Sequence, residues 1–186
     1  MTDKLWLICL VLLPSFLPSM VSGAELSVPE LHFANDEILV STTLTLDEKG
    51  LSDLKNGVEK EITFYLDIYR VWNVWPDEFI TGRKIQKILM ADPVKKEYVA
   101  TSFDGMTRIK KRFRDFDSML NWVLTVKGQE VVRLKELEPA NYFVRVSAES
   151  RLRSLPPVIG YLLFFVPEKE FKVRADSPRF PVGEAR

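Results

Sequence analysis

The sequence predicts a mainly β fold: an antiparallel sandwich of the immunoglobulin or fibronectin type III kind, with one inserted helix at about 115–125, behind an N-terminal signal peptide. Three observations carry this. Several short runs alternate apolar and polar side chains, the period of a strand with one buried and one wet face. Turn residues separate these runs, and no strand–helix alternation calls for a parallel sheet. Only one stretch keeps a sustained helical period.

The first segment lies outside the expected fold. Met1 to Lys4 is a short charged start, Leu5 to Leu17 is apolar apart from a proline and a serine, and Ser22-Gly23-Ala24 offers the small residues that signal peptidase reads. This is the three-part plan of a secretory signal peptide, with cleavage expected after Ala24. The alternative is an uncleaved N-terminal anchor in the inner membrane. The apolar run is shorter than the roughly 20 residues a spanning helix needs, and Pro14 and Pro18 interrupt it. The one cysteine, Cys9, falls inside this leader, so the mature chain has no disulfide and no thiol chemistry. An exported domain without cysteines must be held by packing, which fits the bacterial periplasm better than an animal extracellular space.

The elements follow in order. Residues 25–36 read as a lead-in containing Pro29 and 37–174 as one sandwich domain. In Glu37 to Leu46, Ile38, Val40, Thr42, Leu44 and Leu46 alternate with Leu39, Ser41, Thr43 and Thr45. Leu51 to Asn56 allows one or two helical turns, stopped by Gly57 in the left-handed position, with Leu51 and Leu54 toward the core. Val58 to Trp75 contains the strongest strand. Ile62, Phe64, Leu66 and Ile68 share one face, and Glu61, Thr63, Tyr65, Asp67 and Tyr69 the other. After Pro76-Asp77, Phe79 to Met90 is the next strand, with Gly82 as a candidate bulge.

Asp92-Pro93 turns the chain into a hairpin, Tyr98 to Phe103 and Met106 to Phe113, around Asp104-Gly105. Phe116, Met119, Leu120, Val123 and Leu124 then recur at three- and four-residue steps. Asp115 or Asp117 is placed to cap this helix, and Gly128 to end it. Glu130 to Leu134 is a strand. It leads into Leu137-Glu138-Pro139-Ala140-Asn141-Tyr142, which is similar to the corner of immunoglobulin-like sandwiches, where a tyrosine bonds back to main chain just upstream. Ser154 to Pro157 is a turn, Val158 to Val166 an apolar strand, Phe171 to Arg174 a last short strand, and 175–186 a loose tail.

Chemistry-bearing patterns are few. His32 is the sole histidine, and metal sites need several converging ligands. No Asp-x-Asp-x-Asp-Gly run, no Gly-x-Ser-x-Gly and no glycine-rich phosphate loop is present. The sequence thus predicts no catalytic residue, no metal site and no cofactor. Paired carboxylates could still act as in glycosidases; Asp67 is the one to watch, although a wet-face position beside Tyr65 and Tyr69 accounts for it.

Two surfaces stand out as binding candidates. Arg108, Lys110, Lys111, Arg112 and Arg114 form the sharpest charge cluster in a chain whose 26 Lys+Arg balance 26 Asp+Glu. Export argues against nucleic acid, leaving an acidic partner, an anionic membrane surface, or simple protection of a strand edge. Tyr65, Tyr69, Trp72 and Trp75, with Phe79, form an aromatic patch of hot-spot composition. Strand-end plugging is the competing explanation for it.

The order of these features resembles a known family. A signal peptide precedes Ile38-Leu39-Val40-Ser41-Thr42-Thr43-Leu44, then Leu54-Lys55-Asn56-Gly57-Val58, Tyr69-Arg70-Val71-Trp72 and the Trp75-Pro76-Asp77 turn. The Tyr98 strand, the Phe116 helix, Tyr142-Phe143-Val144-Arg145-Val146 and Leu155-Pro156-Pro157 follow. This resembles the uncharacterised bacterial exported family known as domain of unknown function 4390, over about Glu37 to Val166. The resemblance implies an envelope-associated protein, encoded in some bacteria beside sensor kinases of the nitrogen-regulation type, and it assigns no functional residue. The reading of the whole chain is a non-catalytic periplasmic binding or structural module that acts on a protein or envelope partner. Peripheral contact with anionic membrane through the hairpin is the alternative, and a small carboxylate-dependent hydrolase comes last.

Overall fold

Two antiparallel sheets pack face to face as a sandwich in the computed structural model, which describes residues 23–92, 94–152 and 169–183. In chain order the elements are β1 (Glu25–Leu26), β2 (Glu30–Ala34), β3 (Glu37–Thr45), α1 (Glu48–Lys55), β4 (Lys60–Arg70), β5 (Glu78–Asp92), β6 (Glu97–Phe103) and β7 (Arg108–Phe113). Then come α2 (Phe116–Leu124), β8 (Thr125–Arg133), a 3-10 turn at Leu134–Glu136, β9 (Ala140–Leu152), β10 (Lys169–Asp176) and β11 (Phe180–Val182). In the smaller sheet β3 pairs with β1, β2 and β8. The larger sheet runs β10-β9-β4-β5-β6-β7, and β11 also pairs with β9.

The alternation of β4 sets the core. Ile62, Phe64, Leu66 and Ile68 are fully buried, and β4 lies between β5 and β9. From β9, Tyr142, Val144, Val146 and Ala148 join that inner face; Ile38, Val40 and Leu44 of β3 close over it, and all belong to one apolar cluster. Each of the Val, Leu, Ile and Phe side chains among them contributes about 1.5–3 kcal/mol by leaving water.

Local signals act as read. Asp115 caps α2 by accepting from the Ser118 amide at 2.7 Å, and Met119 and Val123 bury its inner face. The structure holds a second helix, α1, where one or two turns were expected. Asp47 caps it, Leu54 is buried, and Gly57 follows at φ +85°. The hairpin turn is fastened by Asp104, whose Oδ1 accepts from the amides of Met106 and Thr107 at 2.9 and 2.7 Å. The tyrosine corner is present: the Tyr142 hydroxyl, fully buried, donates to the Glu138 carbonyl at 2.9 Å.

The lead-in holds β1 and β2, which pair with β3. Three expectations are corrected. The tail is not loose: β10 continues to Asp176, β11 pairs with Tyr142, Asn141 and Ala140, and Phe180 and Val182 are buried. Gly82 is not the bulge. Ile68 pairs with Thr81 and Tyr69 with Phe79, so Ile80 is the extra residue; Gly82 instead clears room for Asp67, whose Oδ1 would lie 2.2 Å from an added Cβ. Gly128 does not end α2 either. It lies within β8 at φ +57°, where Lys127 and Gly128 together oppose Ser41 and the Gly128 amide donates to Ser41 Oγ at 2.9 Å. The leader through residue 22, the Ser154 to Pro157 turn and the Val158 to Val166 strand lie outside the described residues.

One polar cluster ties the layers. Lys60 is buried at the start of β4, and its ammonium donates to Asp53 of α1 (3.2 Å) and to Glu170 of β10, whose other oxygen accepts from Ser150 of β9. Replacing Tyr142 by Phe removes the corner bond together with the longer one from Arg70 Nε (3.4 Å), and is expected to lower unfolding free energy by about 1 kcal/mol in urea titration, with an unchanged far-UV spectrum.

Candidate functional site

At one end of the larger sheet the chain leaves β4 at Arg70 and re-enters β5 at Glu78, so Trp72 and Trp75 sit on a connecting loop and not on the strand. Trp72 is 45 % exposed, Val74 86 %, Trp75 75 % and Phe79 55 %. The bulge at Ile80 sets Phe79 opposite Tyr69. A ring ladder results: Phe79 meets Tyr69 edge-on at 5.8 Å, and Tyr69 stacks on Phe143 at 5.4 Å. Arg145 lies over both Tyr69 and Phe143, at 5.0 and 5.3 Å, and is held there by a two-pronged bond to Asp176, 2.7 Å on each arm. This pairing keeps the Asp176 carboxyl below its ordinary range.

The loop has its own bracket. Arg70 lies 5.7 Å from the Trp72 ring, bonds Glu138 at 2.7 Å and reaches Glu78 and the Tyr142 hydroxyl, while Trp72 Nε1 donates to Glu78 at 3.2 Å. Trp72 is therefore positioned, whereas Val74 and Trp75 project freely.

Tyr65 belongs elsewhere. Farther along the outer face it donates to Glu149 at 3.0 Å, and Arg151 donates to the same Glu149 oxygen at 3.1 Å. Burial, then the bond to Glu149, raise the Tyr65 phenol above its usual range. Asp67 shares this shallow depression, of about 290 Å³, with Ser147, Glu149 and Lys172. Burial pushes the Asp67 carboxyl up, and Arg145 and Lys172 draw it partly back. Glu149 pairs with Thr63 and Asp67 with Arg145, with Tyr65 between them on β4. The two carboxylates are thus offset along the strands, and Glu149 is pinned by its donors. The geometry supplies a charged surface.

The five hairpin cations are all exposed, four of them on β7, an edge strand that among the described residues pairs only with β6. Among the described residues none of them forms an ion pair with a carboxylate. The strand divides them. Arg108 and Lys110 border a hollow on the outer face that also includes Ile88, Met90 and Phe103. Lys111 turns inward over the rings of Phe113 and Trp122, at 5.1 and 6.0 Å, and Arg114 lies past the strand end. His32 is exposed on β2. Among the described residues no three of His, Cys, Asp or Glu gather closely enough to hold a metal ion, and no helix is long and apolar enough to cross a membrane.

A family model described as a domain of unknown function (DUF4390) matches residues 22–177, most of the chain. The chain belongs to the DUF4390 family. No curated protein and no solved structure matches it. The DUF4390 match ends at residue 177, short of β11, which nevertheless pairs with β9.

Sequence reasoning missed Lys87. It lies on the inner face of β5, 6 % exposed, and donates to the carbonyls of Trp122 (2.8 Å) and Thr125 (2.6 Å) at the end of α2. The only available signal was its place in the Ile85, Lys87, Leu89, Ala91 alternation, where an apolar residue belongs. Burial lowers its pKa to about 8. The folded state thus releases this proton before the unfolded state does, so stability is lowest while Lys87 is charged and rises between pH 8 and 10.5. Measured against Lys87→Met in parallel denaturant titrations, the DUF4390 protein should gain up to about 3 kcal/mol from pH 7 to pH 10, on top of a pH-independent offset for the two lost helix-end bonds.

Proposed function

We propose that this DUF4390 protein is an exported, non-catalytic binding module that presents its aromatic end to a protein partner in the cell envelope. The exposure of Trp72, Val74, Trp75 and Phe79 on one loop and the adjoining strand carries the reading. The same end holds Tyr69, Arg70 and Arg145 in fixed geometry. Trp, Tyr and Arg are the residues that dominate interface energies, and pre-ordered rings lose little freedom on docking. Export rests on the three-part leader. A cut after Ala24 leaves β1 whole from Glu25, while removing one small buried side chain.

A photoreactive residue at position 74, next to both tryptophans, should crosslink a defined envelope protein in intact cells. Trp75→Ser should weaken that purified pair at least tenfold by calorimetry while leaving thermal stability nearly unchanged, since Trp75 is mostly solvated. If the pair survives this change but is lost when Arg108, Lys110, Lys111, Arg112 and Arg114 are neutralised, the site belongs on the hairpin.

The exposed cations of β7 favour a second reading, peripheral contact with an anionic membrane surface at about 1 kcal/mol per cation. It requires sedimentation with phosphatidylglycerol vesicles that disappears in half-molar salt and in the neutralised hairpin variant. Binding that ignores salt would remove it.

A further inference from the structure

We infer that the groove between β7 and β8 is a binding site for a small amphiphilic carboxylate, its head group on Lys87 and its apolar body along Ile85, Ile109, Trp122 and Val126. The groove measures about 560 Å³, within the size range of small-molecule sites. It opens where the inner face of the larger sheet continues past the edge of the smaller one, leaving Ile109 half exposed beside the end of α2.

Lys87 lines this groove, and its electrostatic situation is incomplete. An ammonium has three N–H donors; two are taken by the Trp122 and Thr125 carbonyls, and among the described residues no third acceptor is present. The rings of Trp122 and Phe64 lie 5.2 and 5.7 Å away. The carbonyls at a helix end amount to about half a negative charge, so the site keeps net positive charge. Among the described residues no carboxylate lines the groove or pairs with Lys87; the other charged side chains near it are Lys127 on β8 and Lys111, which reaches over Trp122. Burial lowers the proton affinity of Lys87. A buried cation without a counter-ion is costly, and an arriving carboxylate completes its shell. The apolar walls select an anion with a hydrocarbon body over a bare inorganic one.

The probe is dodecanoate below its micellar concentration, titrated calorimetrically into the purified protein at pH 7. Saturable one-to-one binding is expected, at least tenfold tighter than for dodecanol or dodecyltrimethylammonium. It should weaken from pH 7 to pH 9 as Lys87 gives up its charge. Lys87→Gln should lose at least tenfold. Because that change also removes helix-end bonds, Ile109→Trp serves as the second variant: it fills the groove from an exposed position, leaves Lys87 in place, and should abolish binding. Equal affinity for the alcohol or the cation, or undiminished binding in Ile109→Trp, overturns the assignment. So does capture of an acidic peptide by the groove without dodecanoate binding.

Discussion

Covering one face of β4 is the constraint from which the rest of the architecture follows. Four large apolar side chains in alternation leave water completely, and no cysteine in the described chain is available to hold a poorer core together. Two flanking strands satisfy the main chain of β4, and β3 supplies the apolar lid. The smaller sheet is too narrow to cover the whole larger one. Helix α2 fills much of the remaining gap with Met119 and Val123, and the part it leaves open is where Lys87 lies.

The same alternation that fills the core decides what reaches solvent. Outward residues of β4 and β9 give an aromatic end, where a partly exposed Tyr69 covers a buried Phe143, and a charged middle, where a partly exposed Asp67 lies near a buried Glu149, while β7 adds a basic margin. Surface chemistry changes along the sheet while the scaffold beneath it stays uniform. Only the aromatic end combines exposure with side chains fixed by stacking and two-pronged ion pairing.

What was legible in the sequence was local. The buried set of β4, the Asp104-Gly105 hairpin, the Asp115 cap, the Gly57 stop and the Tyr142 corner each depend on neighbours within a few residues, and each is present. The misses are long-range. Gly128 looks like a helix stop until β3 is placed beside it, and residues 175–183 look loose until β9 offers them an edge. Tyr65 and Tyr69 are equivalent by period, but their cross-strand partners are Ser147 and Phe143, which sends one to a polar network and the other to an aromatic stack. Lys87 broke an apolar alternation, and only the helix end above it explains why.

The contact between Phe33 and Phe180 bears on how the chain reaches this state. The two rings meet edge-on at 5.2 Å, and Phe180 also lies against Tyr142. A residue of the second strand is therefore covered by one from the last, which brings together positions at opposite ends of the domain. As the chain is made in order, the tyrosine corner lacks this cover until residue 180 is available. Such distant closure makes folding slow, and the contact of Phe180 with Tyr142 forms only when β11 pairs with β9.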